Sequence, residues 1–347
     1  MLENRANLYL TVLKAFSGDA LILNYEGDDH EQHTILIDGG MPNTYNKQIK
    51  KALSSVEKID AVFITHIDKD HIGGILKLLD SSNQSKVKQL FFNSGKLINK
   101  TDSTEISESD GISLINFINN LTTLKANHEE LTNQRETLDF FGLKMTLLSP
   151  SYRALEIFNK NFSLGEVKEE ALISDSITEQ EDLLDFDSLI KERPFKEKRL
   201  EDDPANGASL SFLIEYQGKI LLLLGDAKDQ TIIESLQHMG YSPQNRLQID
   251  YLKLAHHGSK YHSSEAFLAL VESQHYIIST NGRYGHPNIE TLARVLCHKE
   301  RDRDKKIYFY YNYPKATYEA SKSHLLSPDE EQRYNCEAIY DYGAFKI

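Results

Sequence analysis

The stretch ITHIDKDHIGG, Ile64–Gly74, places two histidines and two aspartates within six positions directly after an apolar segment. Alternate side chains of an extended segment share one face, so His66, Asp68 and Asp70 are expected to project together while His71 follows one step on. A polar surface turn has the same composition. Whether this stretch is a functional site therefore depends on what the rest of the chain brings to it.

The chain has 347 residues, of which 40% are apolar, and this suffices for one large α/β domain or two smaller ones. No stretch approaches the roughly 18 consecutive apolar residues of a membrane span, and the N-terminus lacks a secretory apolar core. We therefore expect a cytoplasmic protein without a membrane partner. The two cysteines, Cys297 and Cys336, support neither a disulfide framework nor a thiolate zinc site.

The net charge of −13 argues against a sequence-independent grip on nucleic-acid backbones by the whole surface, although a local basic groove stays compatible with it. More than half of this charge, −7, lies in residues 151–205, which also lose the strand pattern. We predict one domain spanning 1–347, with 94–205 as a divergent insertion or lid. The acidic segment 170–203 is a candidate docking surface for a protein partner.

Two runs of predicted strands, each interleaved with helices, lie on either side of that region. The strands are expected at 8–13, 20–25, 34–38, 61–65, 89–93, 138–150, 209–216, 219–226, 250–255, 276–280, 306–313 and 337–347. Helices are expected directly after the HIDKDH motif and at 228–239, 264–273 and 288–298. This order predicts two sheets packed face to face, with helices outside.

Further polar residues follow the ends of predicted strands, namely Asp38, Asp226, His256, His257 and His286. In sheet-based enzymes functional side chains gather where strands end, because the rigid sheet positions them and the loops admit substrate. Each residue alone has a plainer explanation, such as a turn former or a helix cap. Together with the HIDKDH motif they predict a divalent metal site, since buried carboxylates and imidazoles need partners.

These motifs resemble those of the metallo-β-lactamase superfamily. HIDKDHIGG is similar to that family's HxHxDHxGG motif, with Asp68 where the second histidine usually stands. The chain most resembles the hydrolase domain of ComEC-type DNA-uptake channel proteins, in which HxDxDH is the usual form. The resemblance extends in order through FSGDALIL (16–23), ILIDGG (35–40), NGASLSFLIEY (206–216), LLLLGD (221–226), LKLAHHGS (252–259) and YGHP (284–287).

The resemblance implies an αββα sandwich of two mixed sheets with helices on both outer faces, holding one or two divalent metal ions. The implied metal ligands are His66, Asp68, Asp70, His71, Asp226 and His257. Asp226 would bridge two metals, and Asp38 would stand behind the ligands and orient the HIDKDH loop. The histidine that many members carry before the SLSFLIEY-type strand is absent here. The candidates for an additional ligand or a substrate contact are therefore His256, Asn206, Ser209 and Ser259.

The carboxylate of Asp68 in place of an imidazole makes the ligand set harder, so Mn²⁺ or Mg²⁺ gains on Zn²⁺. The expected cofactor is one or two ions of Mn²⁺ or Zn²⁺, with Mg²⁺ as a further candidate. Such a centre activates water for hydrolysis. The resemblance assigns Asp70 to positioning the nucleophile. His257 or His286 could donate a proton to the leaving oxygen, although a simple turn histidine also explains His286.

Several residues near these motifs could contact a phosphate. The side chains of Lys260, Tyr261, Arg283 and Tyr284 offer a few contacts near the site. Free backbone N–H groups also suit a phosphate at the helix start expected around Ser259, Lys260, Ser263 and Ser264. Serine caps explain the last two equally well.

The leading hypothesis is a metal-dependent hydrolase, a phosphodiesterase or nuclease that uses metal-activated water; the resemblance supplies the substrate preference. A second hypothesis is a hydrolase of a small ester, lactone, thioester or nucleotide signal, selected by the lid. A third is a partner-activated effector or regulatory subunit of a multi-protein system, such as a defence system.

Overall fold

The computed structural model describes residues 8–93, 125–126, 130–163 and 185–347. The predicted insertion at 94–205 therefore lies partly outside the described residues, as does the acidic segment 170–203, of which 170–184 fall outside them. Within the described ranges, no helix combines the length and the apolar character that crossing a membrane requires.

Two large sheets form the centre of the molecule. The strands are β1 (Leu8–Val12), β2 (Leu21–Glu26), β3 (Gln32–Ile37), β4 (Ala61–Phe63), β5 (Gln89–Phe91), β6 (Lys125–Ala126), β7 (Leu138–Phe140), β8 (Leu143–Ser149), β9 (Ser211–Tyr216), β10 (Lys219–Leu223), β11 (Leu247–Ile249), β12 (Tyr251–Lys253), β13 (Val271–Ser273), β14 (His275–Ile278), β15 (Ile307–Tyr311), β16 (Cys336–Tyr340) and β17 (Ala344–Lys346). In the described chain, one sheet has the order β17-β1-β2-β3-β4-β5-β6 and the other β16-β15-β14-β12-β10-β9-β8-β7. Strands β11 and β13 form a separate pair.

Helices cover the outer face of each sheet. They are α1 (Pro42–Thr44), α2 (Lys50–Ala52), α3 (Lys69–Leu79), α4 (Tyr152–Ser163), α5 (Phe186–Glu192), α6 (Pro204–Gly207), α7 (Asp229–His238), α8 (Glu265–Leu268), α9 (Ile289–Cys297), α10 (Lys315–Ser321) and α11 (Pro328–Arg333). Helix α3 packs with α1, and α5 packs with α9. The predicted αββα sandwich of two mixed sheets is confirmed.

Three apolar clusters correspond to the three interfaces between the four layers. The cluster between the sheets contains Phe63, whose ring stacks on Phe91 at 4.6 Å and meets Phe212 edge-on at 5.1 Å. Full burial of such a side chain contributes about 1.5–3 kcal/mol. Because strands from both halves of the chain supply these rings, the two sheets are held face to face.

Parallel pairing places the functional loops at one edge of the sandwich. In the first sheet β3 pairs in parallel with β4, and in the second β10, β12 and β14 run parallel to one another. The carboxyl ends of parallel strands meet at the same edge of a sheet. The loops after these five strands carry the predicted site residues.

Two local predictions were wrong. The HIDKDH motif is not extended, because Asp68 is the N-cap of α3 and the helix begins at Lys69. Helical geometry turns His71, rather than Asp68 and Asp70, into the buried interior. Residues 264–273 do not form one helix, since α8 ends at Leu268 and β13 begins at Val271.

Candidate metal centre

The centre is built around one carboxylate oxygen. Oδ2 of Asp226, which follows β10, lies 3.4 Å from Nε2 of His71, 3.7 Å from Nε2 of both His256 and His257, and 3.9 Å from Nε2 of His66. All five residues are buried. The arrangement therefore brings residues from both sheets to one point.

Hydrogen bonds fix which nitrogen of three imidazoles faces that point. Nδ1–H of His71 donates to Oδ2 of Asp38 at 2.8 Å, and Nδ1–H of His257 donates to the carbonyl of Ser279 at 2.7 Å. The hydroxyl of Thr65 donates to Asp38, so its oxygen accepts from Nδ1–H of His66 at 3.0 Å. With Nδ1 carrying the proton, the Nε2 lone pair of each ring points inward.

The inward-facing atoms are incompletely bonded. Nε2 of His66, His71 and His257 and Oδ1 of Asp226 are buried, and among the described residues none of these atoms has a hydrogen-bond partner. Buried polar atoms are nearly always bonded, so an unsatisfied group of this kind calls for a ligand. Imidazole and carboxylate donors converging in this way fit a divalent cation.

Among the described residues, four sets of potential ligand atoms lie within 4.8 Å of one another at this site. They are His66–His71–Asp226, Asp70–His71–His257, Asp19–Asp38–His71 and Asp19–Asp226–His257. Because the sets share residues, they outline one continuous centre that could hold one or two ions.

The charges in the centre are strongly coupled. Burial opposes the ionised form of Asp226, yet His71, His257 and His256 hold the pKa of its carboxyl well below the usual range. Burial also opposes the charged form of His71, but Asp226 and Asp38 hold its pKa well above the usual range. Without a cation, the cluster therefore favours a negative Asp226 beside a protonated His71. A bound cation would displace the proton from Nε2 of His71 and take over its positive charge.

Asp38 supports the histidines from behind. Its Oδ1 accepts the N–H of Thr65 at 2.8 Å, and its Oδ2 accepts the Thr65 hydroxyl at 2.7 Å in addition to His71. The loop after β3 can come this close because Gly39 and Gly74 lack side chains. A Cβ on Gly74 would lie 1.9 Å from the Gly39 carbonyl oxygen.

A left-handed backbone conformation orients the side chains of His256 and His257. His256 and His257 have φ angles of 44° and 56° within the short turn Ala255–Gly258. Such a conformation costs an ordinary residue about 1–3 kcal/mol and persists where the surrounding structure imposes it. The surrounding structure therefore imposes this conformation on the HHG turn.

Two predicted ligands, Asp68 and Asp70, lie on the side of the centre that faces solvent, which we call the rim. Oδ2 of Asp68 is 3.5 Å from Nε2 of His66, and its side chain is 17% exposed. Asp70 has an atom within 4.8 Å of ligand atoms of His71 and His257. Both carboxylates stand between the buried histidines and solvent, where substrate would enter.

His286 lies close to the histidine pair His256 and His257. Its ring centroid is 5.5 Å from that of His256 and 6.5 Å from that of His257. Burial, followed by the nearby His257, lowers the pKa of His286 to about 4. Its assigned proton transfer to the leaving oxygen stays a prediction.

The remaining candidates make different contacts. The Ser209 hydroxyl accepts the N–H of Asp226 at 3.0 Å and lies 3.4 Å from Nδ1 of His66, so it touches the centre directly. The amide of Asn206 donates to Oδ2 of Asp203 at 3.2 Å. Ser259 is buried and its hydroxyl accepts the N–H of Tyr261 at 3.5 Å.

The backbone N–H groups of Ser263 and Ser264 are already taken. Both donate to the carboxylate of Asp229, the first at 3.0 Å, and the Ser264 hydroxyl accepts the N–H of Phe267 at 3.1 Å. Of the two alternatives for these serines, the contacts favour the cap, because both N–H groups already have an acceptor in Asp229.

Sequence reasoning missed a buried ion pair between Asp19 and Lys253. Oδ1 of Asp19 lies 3.6 Å from Nδ1 of His257. Burial opposes the ionised form, yet Lys253 and His257 lower the pKa of Asp19 below its usual range. A signal existed in the chain, because the tripeptide Gly-Asp-Ala occurs at both 18–20 and 225–227. The second copy contains Asp226.

Comparison with known proteins supports this description. The family model "Metallo-beta-lactamase superfamily" matches residues 16–88, which contain Asp19, Asp38 and the HIDKDH motif. The resemblance seen in the sequence is therefore confirmed, and it supports a metal-dependent hydrolase.

The chain is 24% identical over 321 residues to ComE operon protein 3 of Bacillus subtilis (strain 168), a match that covers 85% of this chain and 32% of that protein. The chain thus spans about a third of the length of this relative.

Similar solved structures include Zn²⁺-bound PqqB from Methylobacterium extorquens, at 14% identity and a TM-score of 0.46, covering 98% of this chain and 100% of that one. Igni18, a metallo hydrolase from Ignicoccus hospitalis, has 13% identity and a TM-score of 0.43, with coverages of 98% and 99%.

Proposed function

We propose that this chain hydrolyses phosphodiester bonds with the help of divalent cations. It has the fold of the metallo-β-lactamase superfamily, and residues 16–88 match the model of that family. One observation carries the proposal. Three buried imidazoles have Nδ1 committed to a hydrogen bond, and their Nε2 atoms converge with a carboxylate oxygen of Asp226. A purely structural cluster would satisfy these atoms internally.

The residues that would hold the cations are His66, His71, His257, Asp226 and the rim carboxylates of Asp68 and Asp70. A cation held there would lower the pKa of a water molecule and would neutralise charge that develops on the scissile phosphoryl group. The mixture of imidazole and carboxylate donors suits Mn²⁺ or Zn²⁺, and the carboxylates at the rim favour Mn²⁺.

The side chains of this protein would orient and protect the reaction. Asp38 and Thr65 hold the rings of His71 and His66 in one tautomer, as their hydrogen bonds require. Asp70, which has an atom within 4.8 Å of ligand atoms of His71 and His257, would orient the attacking water. The buried walls around Asp226 exclude bulk water, which strengthens the electrostatic interactions within the site.

The preference for a phosphodiester over a carboxyl ester is supported by the resemblance to ComEC-type domains. It is also supported by cationic side chains in the loops that follow β12 and β14, including Lys260 and Arg283. A carboxyl ester would need no such charges, because it carries no formal negative charge.

The test is hydrolysis by metal-stripped protein reloaded with Mn²⁺, Zn²⁺ or Mg²⁺. We expect turnover of bis(p-nitrophenyl) phosphate and cleavage of single-stranded DNA or RNA, with the highest rate in Mn²⁺, and loss of both in Asp70→Ala. A simple carboxyl ester is the comparison substrate. Turnover of the ester without turnover of the phosphodiester would establish the small-ester hypothesis instead, and activity restored by zinc alone would contradict the metal preference.

A further inference from the structure

We propose that a cavity next to the metal centre binds one nucleotide unit of a single-stranded substrate, beside the bond that is cut. This inference rests on the proposed function and names its substrate more closely. The cavity measures about 270 Å³, and its walls include Arg193, Lys196, Lys260, Tyr261, Glu290 and Arg294.

The cavity is tied to the metal centre through one short loop. Lys260 and Tyr261 follow the candidate ligand His257 by three and four residues. Since consecutive Cα atoms are 3.80 Å apart, the Cα of Lys260 lies within about 11 Å of that of His257. The loop continues to His262, whose carbonyl accepts from the cavity residue Arg294 at 3.0 Å and whose ring centroid lies 5.0 Å from that of His256. One residue therefore connects the wall of the cavity with the histidine pair.

Arg294 makes this loop rigid. Its Nε–H donates to the carbonyl of Ser263 at 3.0 Å, and its Nη2–H donates to the carbonyls of Lys260 at 2.6 Å and His262 at 3.0 Å. The same guanidinium lines the cavity. Because one residue supports the loop and forms the wall, the cavity keeps a constant position relative to the histidine pair.

The charge of the walls selects an anion. Four cationic side chains face the carboxylates of Glu192 and Glu290, and Arg193 already pairs with Glu290 at 3.3 Å. The local charge is thus positive in a chain whose net charge is −13. A phosphate-bearing group would be drawn to this cavity in preference to the acidic remainder of the surface.

Tyr261 adds a surface for a base. Its ring lies under Nζ of Lys198 at 4.7 Å and Nζ of Lys260 at 5.5 Å. Proteins that bind single strands combine cationic grooves with aromatic rings on which bases stack, and this binding tolerates different sequences. The cavity volume is slightly below the roughly 300–1,000 Å³ of sites for small molecules, so it suits one nucleotide and excludes a duplex.

The experiment measures equilibrium binding of a labelled single-stranded hexanucleotide to the metal-free full chain, alongside turnover in Mn²⁺. Lys196→Glu and Tyr261→Leu should each weaken hexanucleotide binding about tenfold. Turnover of bis(p-nitrophenyl) phosphate, which is too small to reach the cavity, should stay within about twofold of wild type. Lys51→Glu is the matched control, since Lys51 is an exposed lysine on the helical layer of the opposite sheet.

Competition experiments distinguish a nucleotide from free phosphate as the ligand of the cavity. A nucleoside monophosphate should displace the hexanucleotide, whereas inorganic phosphate should do so only at much higher concentration, because it lacks a base. Equal weakening by Lys51→Glu, or unchanged binding in both cavity variants, would overturn the inference. If the cavity variants are unaffected while wild-type protein hydrolyses phosphodiesters, only this inference fails. If wild-type protein hydrolyses none, the proposed function fails, and the binding assay still decides whether the cavity holds a nucleotide.

Discussion

Asp226 and Asp229 stand three residues apart and are both buried, yet the regions around them use a carboxylate in opposite ways. Around Asp226, imidazole nitrogens lie at 3.4–3.9 Å, beyond ordinary hydrogen-bond length. Around Asp229, the backbone N–H groups of Ser263 and Ser264 donate directly to the two oxygens.

The electrostatics of the two regions differ in the same way. Burial raises the pKa of Asp229, and its hydrogen bonds only partly oppose that shift. For Asp226 the imidazoles overcome burial and lower the pKa. A buried carboxylate satisfied by backbone donors holds the chain in place, whereas one facing incompletely bonded imidazoles is ready for a cation.

The largest expected effect comes from Asp226→Ala. Removal of the carboxylate takes away the negative charge that attracts a cation to the surrounding imidazoles. Metal content after gel filtration should fall to background, and kcat/KM for bis(p-nitrophenyl) phosphate should fall by roughly 10³-fold or more. Elemental analysis and steady-state kinetics measure both. Retention of wild-type metal content would contradict the assignment of this residue.

Asp229→Ala should instead affect folding. Two buried N–H donors lose their acceptors, each costing about 1–3 kcal/mol, so the free energy of unfolding should fall by about 2–6 kcal/mol. Denaturant titration measures the loss. Asp229→Asn, which keeps one acceptor, should lose less. Metal content per folded molecule should match wild type at low temperature, and depletion as deep as that of Asp226→Ala would erase the distinction between the two regions.

Metal removal should destabilise Asp229→Asn but not Asp226→Ala. A cation at one hundred times its dissociation constant stabilises the folded state by about 2.7 kcal/mol. A chelator should therefore lower the thermal midpoint of wild type and of Asp229→Asn, and leave that of Asp226→Ala unchanged. Equal shifts in all three proteins would show that the cation binds elsewhere.

The smallest effect concerns pH. The folded-state pKa of Asp229 is raised above its ordinary value of 3.8, so the folded protein binds more protons there than the unfolded chain. The contribution of Asp229 to stability is thus complete below pH 3.8 and declines as pH rises through the folded-state pKa. Stability of wild type relative to Asp229→Asn should decrease over that interval in metal-free protein, as measured by urea unfolding. A difference that grows with pH would reverse the sign and contradict the assignment.

Much of the centre could be predicted because its residues follow strands. Asp38, His66, Asp226 and His257 each come soon after a recognisable apolar segment, and parallel strands bring such positions to one edge. Asp19 was missed because it precedes β2. That strand is antiparallel to β3, with Leu21 opposite Ile37, so its beginning lies at the edge where β3 ends.

Two predictions of secondary structure were wrong because tertiary packing outweighed the local sequence pattern. The HIDKDH motif alternates as a strand would, but a helix starting at Lys69 packs its apolar face on the first sheet. Residues 264–273 were expected to be one helix, yet pairing of Val271–Ser273 with Leu247–Ile249 ends it early. In both cases burial outweighed the local pattern.

The sequence by itself determined which side chains are available and where strands begin and end, because strand periodicity and turn residues act over a few positions. Only the tertiary structure decided that Asp226 faces imidazoles while Asp229 faces backbone N–H groups. It likewise placed Tyr261 and Arg294 around one cavity. The reason is that each such environment joins residues tens of positions or more apart, and only the packing of two sheets and their helices specifies those distances.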